Sequence, residues 1–284
     1  MGRLRARIPR AQWDRVCKEI SRQGQPGEPS LSANGVEIGL AHSHFSALLG
    51  ENVSQSFAPK MCDCLSSHAR CGPNWRIPMI KLYGLRMSNY YSLTKALLIE
   101  KGLDFEEVKS PPSQKEDYLV RSPMGKMPSI EVDGRFLSES LAIFHYLEHH
   151  APDPALLPAD PFESAKVMEL CCHLKLDIEL VARRCLPELL FKQPVSDETK
   201  DQVRADLAKG VKAVDRLLVA GPFAAGAEFT VADLFSFYCF GLANTLSQSV
   251  VGVDLLEGTP RMADLLKRLA ERPSIARVTA EAAG

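Results

Sequence analysis

Four prolines between positions 152 and 161 (Pro152, Pro154, Pro158 and Pro161) divide the chain into two stretches that cannot share one architecture. Proline lacks a backbone N–H and clashes with the preceding turn, so no helix continues through this segment. Upstream of it, short apolar runs surround a helical pattern. Ile80-Lys81-Leu82-Tyr83-Gly84 reads as a buried strand closed by glycine. Ser88 is placed to cap a helix over Asn89–Lys101, and Gly102 stands where a left-handed C-terminal residue is wanted. Phe105–Val108 reads as a second strand, followed by an irregular crossover over Ser110–Pro123. Asp133-Gly134 joins Ser129–Val132 to Arg135–Leu137, and Asp-Gly is what a two-residue hairpin turn demands. Ser138 is expected to cap a helix reaching His150, with Leu141, Phe144, Tyr146 and Leu147 on its buried side.

A parallel strand–helix–strand unit followed by a hairpin and a helix predicts a four-stranded mixed sheet of the thioredoxin-like kind. Beyond the prolines the text is helical throughout, over roughly Phe162–Leu190, Ser196–Leu218, Thr230–Leu246 and Pro260–Ala270, with a last turn after Pro273. Thr230-Val231-Ala232-Asp233 has the form of a capping box with Asp in place of Glu, and Phe229 stands at the staple position. The expected fold is α/β plus all-α: a thioredoxin-like N-terminal domain over 79–151 and a helical C-terminal domain over 161–284.

Charge separates a third region. Residues 1–78 carry ten Lys/Arg against six Asp/Glu, a net of +4, and the remaining residues carry 24 against 29, a net of −5. The formal charge of −1 is therefore a basic tail cancelling an acidic body, and neither the sum nor the body has the basic footprint of a nucleic-acid binder. No run approaches the roughly 18 apolar residues of a spanning helix, so no membrane partner is expected. The tail is Gly-, Pro- and Ser-rich and buries little, which predicts a disordered or non-native N-terminal extension over 1–78, with Met79 the natural start. Arg3, Arg5, Arg7 and Arg10 ahead of the first acid also resemble a targeting segment. An N-terminal mass near Met1 would overturn the start at Met79. Cys62-x-Cys64-x3-His68-x2-Cys71 holds four soft ligands, but CxC is tighter than zinc spacing and is read as coincidence. His149-His150 and Cys171-Cys172-His173 are adjacent residues that a helix turns about 100° apart, so no metal site is expected.

From Met79 to Ala280 the sequence resembles the cytosolic glutathione transferases. The residues that carry the resemblance are Lys126-Met127-Pro128, Glu139-Ser140-Leu141-Ala142-Ile143, the proline linker and Phe229-Thr230-Val231-Ala232-Asp233, in this order and spacing. The resemblance implies that Ser140 holds the γ-glutamyl carboxylate of glutathione and that Glu139 receives its ammonium. A helix N-terminus favours an anion physically, and it favours a first-turn acid with or without a ligand. Met127-Pro128 matches the pair that is cis in this fold, where the residue before proline offers its backbone to the peptide's cysteine by strand addition. Lys126 stands beside them, placed for the glycyl carboxylate or for solvent.

The reactive slot at the start of the first helix reads Met87-Ser88-Asn89-Tyr90-Tyr91-Ser92. It holds no cysteine, which argues against dithiol chemistry and against the cysteine-dependent branches of the family. Ser88 matches the serine of serine-type members, whose hydroxyl donates to the glutathione sulfur. Ser88 also reads as a plain N-cap, and Tyr83, Tyr90 and Tyr91 are rival hydroxyls. The maleylacetoacetate isomerase branch expects paired serines and arginines here, and neither lies between Ser88 and Lys101.

The resemblance thus implies a serine-type glutathione transferase, bacterial in flavour, cytoplasmic, detoxifying and homodimeric. Glutathione is its co-substrate, with no other cofactor, and a small electrophile is its second substrate. A glutathione-binding regulatory protein with little catalysis, or a glutathione-dependent dehalogenase, peroxidase or etherase, are the alternatives. Leu174, Leu176, Leu180 and Val181, with the loop Leu85–Met87, are expected to form an apolar and generic wall for the electrophile.

Overall fold

The computed structural model describes residues 79–219 and 221–283. The tail and the Cys62–Cys71 cluster lie outside them. Four strands form one sheet in the order β2-β1-β3-β4. β1 (Ile80–Gly84) pairs in parallel with β2 (Phe105–Lys109), and β3 (Ser129–Val132) pairs antiparallel with β1 and with β4 (Arg135–Ser138). The hairpin turn uses positive φ at both Asp133 (50°) and Gly134 (73°), the twist that Asp-Gly accepts.

α1 (Asn89–Glu100) crosses from β1 to β2, and Ser88 caps it by accepting the Tyr91 N–H. The crossover is not wholly irregular: α2 (Glu116–Leu119) is a single turn that buries Tyr118. α3 (Ser140–His150) starts later than a cap at Ser138 would place it. Ser138 is the last residue of β4, paired with Ser129, and Glu139 with φ of 71° takes the N-cap position between it and the helix.

The helical half follows the linker. α4 (Pro161–His173) is capped by Asp160 and runs into a π-helical stretch (Leu174–Glu179), one α-helical turn (Leu180–Ala182), a 3₁₀ turn (Arg183–Cys185) and α5 (Leu186–Phe191). α6 (Asp197–Leu217) is capped by Ser196. α7 (Val231–Phe235) continues through a π turn (Ser236–Phe240), α8 (Gly241–Leu246) and a second π turn (Ser247–Val251), five residues past the expected end. α9 (Pro260–Ala270) and α10 (Pro273–Ala283) close the chain.

The capping box forms as read. The Asp233 carboxylate accepts the Thr230 N–H at 2.8 Å and the Ala224 N–H at 2.7 Å, wholly buried. One continuous apolar core runs through both halves, from Leu82, Leu97 and Phe144 to Phe235, Phe240 and Leu265. α1 packs against α3 on one side and α10 on the other. Beneath α1 the buried Lys95 ammonium meets Glu107 of β2 at 2.6 Å and Glu281 of α10, so an ion cluster fixes the last helix to the sheet. Among the described residues no helix is long and apolar enough to cross a membrane.

Candidate functional site

A cavity of about 330 Å³ opens where the N-terminal end of α1 faces the helical half. All six residues singled out from the sequence line it: Ser88, Lys126, Met127, Pro128, Glu139 and Ser140. They come from three chain ends of the sheet domain: the loop after β1, the turn before β3, and the junction of β4 with α3. The Met127-Pro128 bond is cis. Ser140 is buried at the first position of α3, and the left-handed conformation of Glu139 sets it there. A non-glycine residue in that conformation costs of order 1–3 kcal/mol, which the surrounding structure must hold in place.

The hydroxyls separate cleanly. Tyr83 donates to Glu131 on β3, away from the cavity, and burial with that carboxylate pushes its phenol up to about 12. Tyr91 is buried and donates to Glu107 at 2.7 Å, and burial raises its phenol strongly. Tyr90 lines the cavity but donates to Glu179 at 2.9 Å, and burial again holds it protonated. Ser88 has an extended backbone (φ −84°, ψ 125°), and its Oγ accepts the Tyr91 N–H at 3.4 Å. Among the described residues nothing takes its hydroxyl proton. Capping and donation therefore do not compete, because a hydroxyl caps with a lone pair and donates with its hydrogen.

The helical wall departs from expectation. Leu174 and Val181 point into the core, whereas Leu176 and Leu180 are half exposed, and only Leu180 of the four lines the cavity. The ordinary helical period accounts for it: at about 100° per residue Leu174, Ile178 and Val181 share one face, and Leu176 and Leu180 fall roughly opposite them. Met87 is largely exposed, and of the loop after β1 only Ser88 reaches the cavity. The wall is charged instead, formed by Lys175, Glu179 and Arg183 at a four-residue spacing. Lys175 Nζ pairs with Glu139 Oε2 at 2.7 Å, and the Arg183 side chain pairs with the buried Glu179. Both cations approach the Tyr90 ring, at 5.8 and 5.7 Å from its centroid. The Lys-x3-Glu-x3-Arg spacing is itself a sequence signal of one helix face, beside the face that buries Leu174, Ile178 and Val181.

Among the described residues no group of His, Cys, Asp and Glu is arranged to hold a metal ion. His173 meets Asp177 at 2.6 Å, and His150 stacks on Tyr146. Cys171, Cys185 and Cys239 are buried with thiols pushed up, chiefly by desolvation, and are poor nucleophiles.

Known proteins share this arrangement. The glutathione S-transferase N-terminal domain model matches residues 82–155, and the C-terminal domain model matches 186–281. A glutathione S-transferase of Pseudomonas putida is 42% identical over 203 residues, covering 72% of this chain and 92% of that one. The chain belongs to the glutathione S-transferase family. Within the family, a probable maleylacetoacetate isomerase of Drosophila melanogaster is 36% identical over 126 residues, 42% of this chain and 48% of its own length. A glutathione transferase homologue from Sulfitobacter, solved with bound glutathione, superposes with a TM-score of 0.59 at 21% identity, over 72% of this chain and 98% of that one. The thioredoxin-like domain and the helical domain are thus those of a glutathione S-transferase.

Proposed function

We propose that this glutathione S-transferase binds glutathione in the cavity, activates it as thiolate through Ser88, and transfers it to a small electrophile. The single observation that carries the reading is Ser88 itself. It caps α1 with its lone pair, keeps its O–H to donate, and lines one cavity with Glu139 and Ser140. A free thiol has a pKa near 8.5, and a helix N-terminus lowers it by favouring the anion. A tenfold gain in the thiolate-to-thiol ratio corresponds to about 1.4 kcal/mol of preference for the anion. The chemistry then needs little more. The thiol proton leaves to solvent, the sulfur lone pair forms the bond to carbon, and the leaving group departs with its electrons. The protein supplies proximity and orientation, and Ser88 is never itself the nucleophile.

In this reading Ser140 and the first N–H groups of α3 take the γ-glutamyl carboxylate, Glu139 takes the ammonium, and the backbone of Met127 meets the cysteinyl unit. Lys126 is placed for the glycyl carboxylate. Assembly as a homodimer, cytoplasmic residence and a detoxifying role belong to the same proposal, and light scattering tests the first. The test of function is retention on immobilised glutathione together with conjugation of a generic aryl halide, comparing the protein with its Ser88→Ala variant. Retention without turnover by the unmutated protein would instead make it a glutathione-binding module. A second reading, glutathione-dependent isomerisation, is favoured by the isomerase named among the relatives. Turnover of a cis-unsaturated diacid without net consumption of glutathione would identify it.

A further inference from the structure

Glu179 is an unusual residue to find beside a small-molecule cavity. Its side chain is 1% exposed, yet it lies on the cavity wall in the π-helical stretch of the helical half. A carboxylate buried so fully is costly unless its lone pairs are used. Here they are used on the two residues that follow Ser88. Oε2 accepts the Tyr90 phenol at 2.9 Å, and Oε1 accepts the Asn89 amide at 3.3 Å. Arg183 closes the ring. Its Nε donates to Glu179 Oε1 at 2.8 Å, and its Nη2 donates to the same oxygen and to Asn89 Oδ1 at 2.9 Å. Asn89 is thereby held through both ends of its amide.

We infer that Glu179 is a positioning residue for thiol activation, the strut by which the helical half fixes the first turn of α1 and so the direction of the Ser88 hydroxyl. The inference rests on the reading of Ser88 given above. Its physical argument is local. The cap bond from Tyr91 N–H to Ser88 Oγ is long, at 3.4 Å, and holds that side chain weakly. The backbone of Ser88 is held by Leu85 C=O at 3.0 Å and by its own C=O to Ser92 N–H at 2.9 Å. On the sheet side the first turn is tied by Tyr91 to Glu107 at 2.7 Å and by the Ser92 hydroxyl to Arg86 C=O at 3.2 Å. On the side of the helical half, Asn89 and Tyr90 are the side chains that Glu179 grips. Among the described residues no other carboxylate of the helical half reaches α1 at this end: Asp177 pairs with His173 and Glu188 with Lys200. Glu179 touches neither the cap nor Ser88, so it acts through its neighbours.

The experiment is a double-mutant cycle on kcat for aryl-halide conjugation and on the pH profile of kcat/KM, in the full chain. Glu179→Gln keeps the size and still accepts from Tyr90, but gives up the Arg183 pair. It is expected to lower kcat about fivefold, the scale of one misplaced hydrogen bond, and to move the thiol limb of the pH profile upward. KM for glutathione should stay nearly constant. In the Ser88→Ala background Glu179→Gln should change nothing further. An equal loss in both backgrounds, or no loss in either, overturns the positioning role. Asn89→Ala removes the gripped side chain instead of the grip and is expected to show the same coupling, so the cycle stands even if Glu179→Gln fails to fold. Failure of the underlying reading looks different: full activity in Ser88→Ala alone removes Ser88 from the mechanism whatever Glu179 does.

Discussion

Lys175 Nζ stands 2.7 Å from Glu139 Oε2, so the acid assigned to the glutathione ammonium already holds a cation from the other half of the molecule. The carboxylate has a second oxygen and lone pairs to spare, but Lys175 and an incoming ammonium repel each other there. The pair is partly exposed and contributes little to stability, ~0–1 kcal/mol as surface pairs do. Lys175→Met is therefore expected to leave the thermal midpoint nearly unchanged and to lower KM for glutathione severalfold. Isothermal titration and steady-state kinetics measure both. A raised KM would mean that Lys175 serves the ligand's carboxylate instead of competing with its ammonium.

Ser140 is buried at the first position of α3, where the helix presents unpaired N–H groups to the cavity. Ser140→Trp would fill that space and Ser140→Arg would place a buried cation against the helix dipole. Either substitution is expected to abolish retention on immobilised glutathione. Ser140→Ala should weaken it about tenfold, the size of a hydrogen bond to a charged group.

Gly210 sits inside α6, where alanine ordinarily gains up to ~1 kcal/mol. Here a Cβ would stand 2.4 Å from the backbone oxygen of Asp177. Backbone cannot step aside cheaply, so Gly210→Ala should be destabilising by about 2 kcal/mol, as overpacked cores are. Chemical denaturation reads it. Because Asp177 lies in the π-helical stretch that carries Glu179, the same variant should also lower kcat.

Two carboxylates give stability opposite dependences on pH. Hydrogen bonds from Arg86, Lys95 and Tyr91 outweigh a desolvation that opposes them, and Glu107 falls from an ordinary 4.5 to about 2. Its contribution is full above pH 4.5 and is lost as pH drops toward 2. Desolvation raises Asp233 from 3.8 to about 6, against hydrogen bonds from Ala224 and Thr230 that pull it down. The folded state then binds the proton more tightly than the unfolded one, so this contribution declines as pH rises from 4 to 6. Glu107→Gln should flatten the acid limb of a denaturation series. Asp233→Asn should remove the decline between pH 4 and 6.

The strand–helix–strand and hairpin units of the sheet domain are legible in the chain because local chemistry specifies them. Asp133-Gly134 admits one turn, Ser88 one cap, and the linker prolines one break. The resemblance carried by Met127-Pro128 and Glu139-Ser140 names residues that all reach one cavity. Where α3 begins is not legible, because Ser138 caps well in isolation and only the positive φ of Glu139, held by the folded chain, moves the start on by one residue.

The order of elements, the absence of cysteine from the reactive slot, and the glycine and proline positions that set the turns all follow from the chain's own text. Backbone sterics acting over a few residues are enough to produce them. Which hydroxyl has a free proton is a matter of long-range packing, since Tyr83, Tyr90 and Tyr91 are withdrawn by Glu131, Glu179 and Glu107, all distant in the chain. The charged cavity wall is another product of the folded state. The ordinary helical period already sets Lys175, Glu179 and Arg183 on one face, and the packing of the two halves decides that this face, not the Leu174–Val181 face, borders the cavity.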